Sequence, residues 1–124
     1  MLDHVVIAVS NYTDALAFYR PTLAALGIEI AAEWETSFAV GYPDQEPQLG
    51  FRAKGNPVTP QHIALRANSE DEVHRFYQAA LRAGGTDKRA LGPRPHYDDN
   101  YLAAFVIDRD GHNIEAVFRR RHRN

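Results

Sequence analysis

The chain writes one phrase twice. FYRPTLAALG at residues 18–27 returns as FYQAALRAGG at 76–85, and the match runs back without a gap to a histidine, HVVIAVSNYTDALAFY from His4 lying over HIALRANSEDEVHRFY from His62. A fixed offset of 58 residues in a chain of 124 leaves room for two copies of one unit and little else. A chain of this length suits one compact domain, because a second independent core would be marginal.

Each copy follows the same order of local signals. LDHVVIAVS is a short apolar, β-branched run, and alternation puts Leu2, His4, Val6 and Ala8 on one face and Val5, Ile7 and Val9 on the other. Residues 12–26 carry helical spacing through Ala15, Leu16, Tyr19, Leu23 and Leu26, with Gly27 as the stop. Pro21 removes a hydrogen bond to the carbonyl of residue 17, so a kink or restart is expected there. IEIAAEWE, SFAVGYP and PQLGFRAK then read as three short strands separated by turn residues. The unit is β-α-β-β-β.

The segment KGNPVTP, residues 54–60, has the glycine and prolines of a linker between repeat 1 (2–53) and repeat 2 (61–119), within a single domain over 1–124. The second copy opens with the strand PQHIALRA and a helix that Ser69 caps with Glu72 closing a capping box. Val73, Phe76, Tyr77, Ala80 and Leu81 are its buried stripe, and Gly84 and Gly85 end it. TDKRALG is a plausible strand and turn, and YLAAFVID with NIEAVFR forms a hairpin around Asp110-Gly111. The polar, proline-containing GPRPHYDDN at 92–100 has no counterpart in the first copy; it is either a surface excursion or a lip over a site. The fold class is α+β, built from two tandem βαβββ units.

Composition narrows the chemistry. With no cysteine, disulfides, thiolate metal sites and cysteine nucleophiles are all excluded, leaving His, Asp, Glu, Tyr, Arg and Lys to carry any reaction. The tail FRRRHRN is basic while the rest of the chain is acidic, which is a poor nucleic-acid footprint. No apolar run is long enough to span a bilayer and no secretion signal opens the chain, so a cytoplasmic protein with no membrane partner is expected. GxGxxG, GxxxxGK[ST], HExxH and GxSxG are all absent, and Asp108-x-Asp110-Gly111 reaches Glu115 too early for an EF-hand, so a tight hairpin is expected there.

Each copy begins with a histidine at the same place in its first strand and ends with a polar residue in an apolar strand. Aligning PQLGFR with IEAVFR sets Gln48 over Glu115. A glutamate inside NIEAVF needs a positive partner, since carboxylates are rarely buried unpaired. His4, His62 and Glu115 on one concave face are the ligand set of a divalent metal with open positions, whether Fe, Mn, Ni, Co or Zn; Gln48 is a weaker, neutral donor beside them. Arg66, on the His62 face, and Arg94, His96, Tyr97 and Tyr101, in or beside the unmatched loop, are candidates for binding an anionic substrate group or for acid–base work, or else ordinary surface residues. His74 and His112 read as solvated.

The duplicated βαβββ unit, the His4 and His62 pair and the closing DRDGHNIEAVF, with its DxDGxxIE pattern, resemble the vicinal oxygen chelate superfamily of glyoxalase I, extradiol dioxygenases, fosfomycin-resistance thiol transferases and bleomycin-resistance proteins. The resemblance covers essentially the whole chain. It implies two half-open sheets around a cleft in which His4, His62 and Glu115 hold a divalent metal and a fourth ligand falls near Gln48. It further implies a lyase, isomerase or dioxygenase acting on a small substrate with vicinal oxygens, Glu115 as the base, and a homodimer. The alternative is a metal-free protein that sequesters a drug or metabolite, as bleomycin-resistance proteins do.

Overall fold

The structure, a computed structural model, describes residues 1–87 and 100–120 and the backbone of 96–97. The first unit runs β1 (Val5–Val9), α1 (Tyr12–Ala24), β2 (Glu29–Glu33), β3 (Ser37–Gly41), β4 (Leu49–Ala53). The second runs β5 (His62–Arg66), α2 (Glu70–Arg82), β6 (Thr86–Asp87), β7 (His96–Tyr97), β8 (Tyr101–Ile107), β9 (Asn113–Arg119). The first sheet has the order β1-β4-β3-β2, and the second β5-β9-β8-β6 with β7 on β8. In each unit the first strand pairs in parallel with the last, β1 with β4 and β5 with β9, while the remaining pairs are antiparallel. The repeat in the sequence is thus a repeat in topology.

The helices form where the sequence caps them. Asn11 accepts from the Asp14 N–H at 2.9 Å to open α1, and Ser69 accepts from the Glu72 N–H at 3.1 Å to open α2. Glu72 reaches back to the Asn68 N–H at 2.8 Å, one residue earlier than in a strict capping box. Of the kink or restart expected at Pro21, the restart does not occur, and α1 continues through the proline. Phe18, Tyr19, Thr22 and Leu23 are buried on both sides of the proline, so packing offsets the one lost backbone bond.

The core lies between the helices and one face of each sheet. In the first unit, Tyr19 stacks on Phe51 at 4.1 Å and Phe51 on Phe38 at 5.0 Å. In the second, Val73, Phe76, Tyr77 and Ala80 of α2 pack with Leu102, Ala104, Val106, Ile114 and Ala116 from β8 and β9. The helices also pack on each other, so they share one side of the molecule and the other face of both sheets is left open. Of the expected strand TDKRALG, β6 is the described part, and most of the loop at 92–100 lies outside the described residues, as does the end of the basic tail. Among the described residues no helix is long and apolar enough to cross a membrane.

Candidate functional site

Residues paired across a sheet share a face, so strand register decides which side chains meet. On β5 and β9 the pairs are His62 with Asn113, Ala64 with Glu115 and Arg66 with Val117, and on β8 Phe105 lies opposite Glu115. His62 and Glu115 therefore stand diagonally on the open face, and His62 Nε2 lies 2.9 Å from Glu115 Oε1. The Glu115 side chain is only 13% exposed and that of His62 56%. Among the described residues, His62 is the one basic side chain within ion-pair distance of Glu115. The group found against this carboxylate is an imidazole, and the pair sits in the open face of the second sheet.

His4 precedes β1 and its Nδ1 lies 2.6 Å from Asp3 Oδ1. It reaches a cavity of about 450 Å³ along the seam between the two sheets, lined also by Gln48 and His62. Among the described residues, though, no grouping of three or more ligand-type side chains within 4.8 Å of one another includes His4, His62 or Glu115. The reason is topological: β1 and β5 are edge strands of separate sheets, so the two histidines face one seam from opposite banks. One chain brings together His62 and Glu115, and sets His4 and Gln48 around the same space.

Register also corrects the alignment of Gln48 with Glu115. Val6 pairs with Gly50 as Ala64 pairs with Glu115, so the counterpart of Glu115 in the first unit is Gly50, two residues beyond Gln48. Gapless comparison of the last strands cannot detect this, because the offset is set by where each strand joins its parallel neighbour. Gln48 is exposed, its carbonyl accepts the Val5 N–H at 2.9 Å, and its side chain stands where the seam cavity meets a smaller one of about 260 Å³ that Arg66 lines.

Of the other candidates, Tyr101 is half-buried with the Arg119 guanidinium 5.6 Å from its ring centre. β7 sets His96 opposite Ala103 and Tyr97 opposite Leu102 in register. Arg94 lies outside the described residues. His74 is half-buried on α2.

His112 overturns the expectation of a solvated residue, because it is fully buried. Its Nε2–H donates to the Ala8 carbonyl at 2.8 Å and its Nδ1 accepts from the Gln61 N–H at 2.9 Å, which joins β1 of the first unit to the start of the second. The Asp108, Asp110 and His112 atoms that lie within 4.8 Å of one another form a ligand-type cluster by position. Its donors are already engaged. Asp108 accepts from the Asp110 and His112 N–H groups at 2.9 and 2.8 Å and from the Tyr19 hydroxyl, and Asp110 accepts from the Ser10 N–H at 3.0 Å. These bonds run from the second unit to Ser10, Tyr19 and Ala8 of the first, so the cluster clamps the two units together. Burial and the nearby Asp108 carboxylate push the Tyr19 hydroxyl far above the usual phenol range, keeping it a donor.

Two βαβββ units with open sheet faces, the second joining a histidine of its first strand to a glutamate of its last, define the glyoxalase-like class of fold. The chain belongs to the Glyoxalase/Bleomycin resistance protein/Dioxygenase superfamily, whose family model matches residues 1–116. Its fold is similar to the crystal structure of a glyoxalase/bleomycin resistance protein from Albidiferax ferrireducens, with a TM-score of 0.82 at 23% identity over 97% of this chain and 99% of that one. It is also similar to the oxidase ChaP-H2, with a TM-score of 0.70 at 24% identity over 97% and 94% of the two chains. A glyoxalase/bleomycin resistance protein from Catenulispora acidiphila gives a TM-score of 0.66 at 20% identity over 95% and 98%. Among curated proteins, none matches the sequence.

Proposed function

We propose that this chain is a metal-dependent enzyme, a lyase, isomerase or dioxygenase acting on a compact substrate with two adjacent oxygens. The observation that carries the reading is Glu115, a largely buried carboxylate whose one basic partner among the described residues is the His62 imidazole at 2.9 Å. Imidazole and carboxylate are the donors that divalent first-row ions take, and among the described residues neither is tied to a lysine or arginine. His62 and Glu115 would hold the ion from the second sheet, with His4, and Gln48 as a neutral donor, reaching from the far bank of the seam. A divalent ion bound there supplies Lewis-acid polarisation of the substrate oxygens.

The chain's own residues have distinct tasks. Glu115 takes and returns a proton at Oε1, and with glycine at position 50 the first sheet offers no second carboxylate for that role. Phe105 and Ala64 flank it in register on the neighbouring strands. Arg66, farther along the same face of β5, supplies a cation for an acidic substrate group, and Tyr101, one row beyond it on β8, a hydroxyl. A second copy of the chain is the proposed protein partner.

Metal analysis after mild purification is expected to find about one divalent ion per chain, with thermal-shift stabilisation by Mn(II), Ni(II), Co(II) or Zn(II), and Glu115→Gln or His62→Ala to lower that affinity at least tenfold. Clean protein with no affinity for any of these ions would end the reading. The position of His4 apart from the His62–Glu115 pair favours the second reading, a metal-free binding protein. In that case organic ligands alone shift the melting temperature.

A further inference from the structure

The open face of the first sheet holds a cleft whose chemistry differs from that of the metal-type pair. Register arranges it in rows: Val6, Gly50 and Ala39 lie side by side across β1, β4 and β3, and Ala8, Arg52 and Ser37 form the next row. Small residues therefore make a flat floor, and the position that carries Glu115 in the second sheet carries no side chain here. The cavity above this floor measures about 480 Å³, within the range of small-molecule sites. Trp34, the one tryptophan of the chain, lines it while 60% exposed, and Val6 on the floor is 48% exposed. Large apolar surface left open in a concave site is surface that a ligand covers.

Charge selects the ligand. The ionisable side chains lining the cavity are Arg52 and His4, and no carboxylate is among them, although the chain as a whole carries a net negative charge. Among the described residues no carboxylate pairs with the Arg52 guanidinium. An exposed guanidinium fork beside a flat apolar floor and an indole wall fits a planar ring that carries one carboxylate. We propose that the first sheet binds a compact aromatic acid, its ring over Gly50 and against Trp34 and its carboxylate on Arg52. Gly50 is the specificity element, since a side chain there would occupy the space the ring fills. A Cβ at this position would meet Phe38 O at 3.5 Å and Val6 Cγ2 at 3.7 Å, ordinary contacts, so the room is available without strain in the strand.

This inference does not require a metal, and its test runs on chelator-treated full-length protein, so that it stands or falls separately from the enzymatic reading. Trp34 reports directly: benzoate and phenylacetate are titrated against its fluorescence, with benzamide, phenylacetamide and acetate alongside. The acids are expected to change the emission saturably, and the amides and acetate to bind at least tenfold more weakly. Arg52→Gln is expected to weaken the acids about ten- to hundredfold, the worth of a charge-assisted hydrogen bond, and to leave the amides unchanged. Gly50→Leu, checked for folding by circular dichroism, abolishes the response. Equal affinity of acid and amide, an Arg52→Gln protein that binds the acids normally, or no response to any ring acid would overturn the proposal. An emission change that follows protein concentration instead of ligand would overturn it too, by assigning the face to a second copy of the chain.

Discussion

Replacing His112 tests how the two units are joined. The ring is fully buried and both nitrogens are committed, Nε2–H to the Ala8 carbonyl at 2.8 Å and Nδ1 to the Gln61 N–H at 2.9 Å. His112→Ala strands one acceptor and one donor in partly buried positions, at about 1 kcal/mol each, the low end of the range for unsatisfied groups. It also leaves a ring-sized void, worth roughly 1 to 2 kcal/mol after partial collapse. The expected loss is therefore about 3 kcal/mol, a large share of the stability of a domain this size. Urea denaturation at neutral pH measures it as a lower midpoint with an unchanged slope. Two further variants divide the effect, since Asn places an acceptor near the Nδ1 position and Gln a donor near the Nε2 position. Each is expected to retain one bond and lose about half as much as the alanine variant. A His112→Ala loss under about 1 kcal/mol, or Asn and Gln variants as unstable as Ala, would refute the two-sided clamp.

Other outcomes follow from the same packing. Tyr77 is pushed up to about 12 by burial and by its hydrogen bond to Asp87 at 2.6 Å, so the stability it contributes is complete below the unfolded phenol value near 10 and is lost as pH rises through 12. Tyr77→Phe should flatten the alkaline fall in unfolding free energy across that window, and an unchanged profile would refute the assignment. Gly85→Ala should cost roughly 1 to 3 kcal/mol, because its Cβ would lie 2.8 Å from Phe18 Cε1 and 3.0 Å from the Ala80 carbonyl, whereas Gly50→Ala, with contacts of 3.5 Å and longer, should be neutral or slightly stabilising. Thermal melts of the two variants that fall in the opposite order would contradict the packing. Ser69→Ala should destabilise by about 1 kcal/mol in urea through loss of the 3.1 Å bond to the Glu72 N–H, and Ser69→Asp should restore it.

The sequence by itself determined the repeat, the order of elements and the faces of most strands. Alternation in LDHVVIAVS and NIEAVFR and the apolar spacing from Val73 to Leu81 are local patterns with local causes, period 2 for a strand and 3.6 for a helix. They were enough to place His62 and Glu115 on strands that end in one site. Tertiary structure decided the rest, because it depends on which chain segment lies alongside which. The pairing of β1 with β4 makes Gly50, and not Gln48, the counterpart of Glu115, and it opens the floor beneath Trp34. Burial around α1 carries the helix through Pro21. His112 follows a turn glycine and reads as solvated, and becomes the most enclosed histidine among the described residues only because a strand a hundred positions away brings its carbonyl to the ring. Whether a polar side chain is a ligand, a clamp or a surface group is fixed by such distant neighbours, and spacing along a chain carries no record of them.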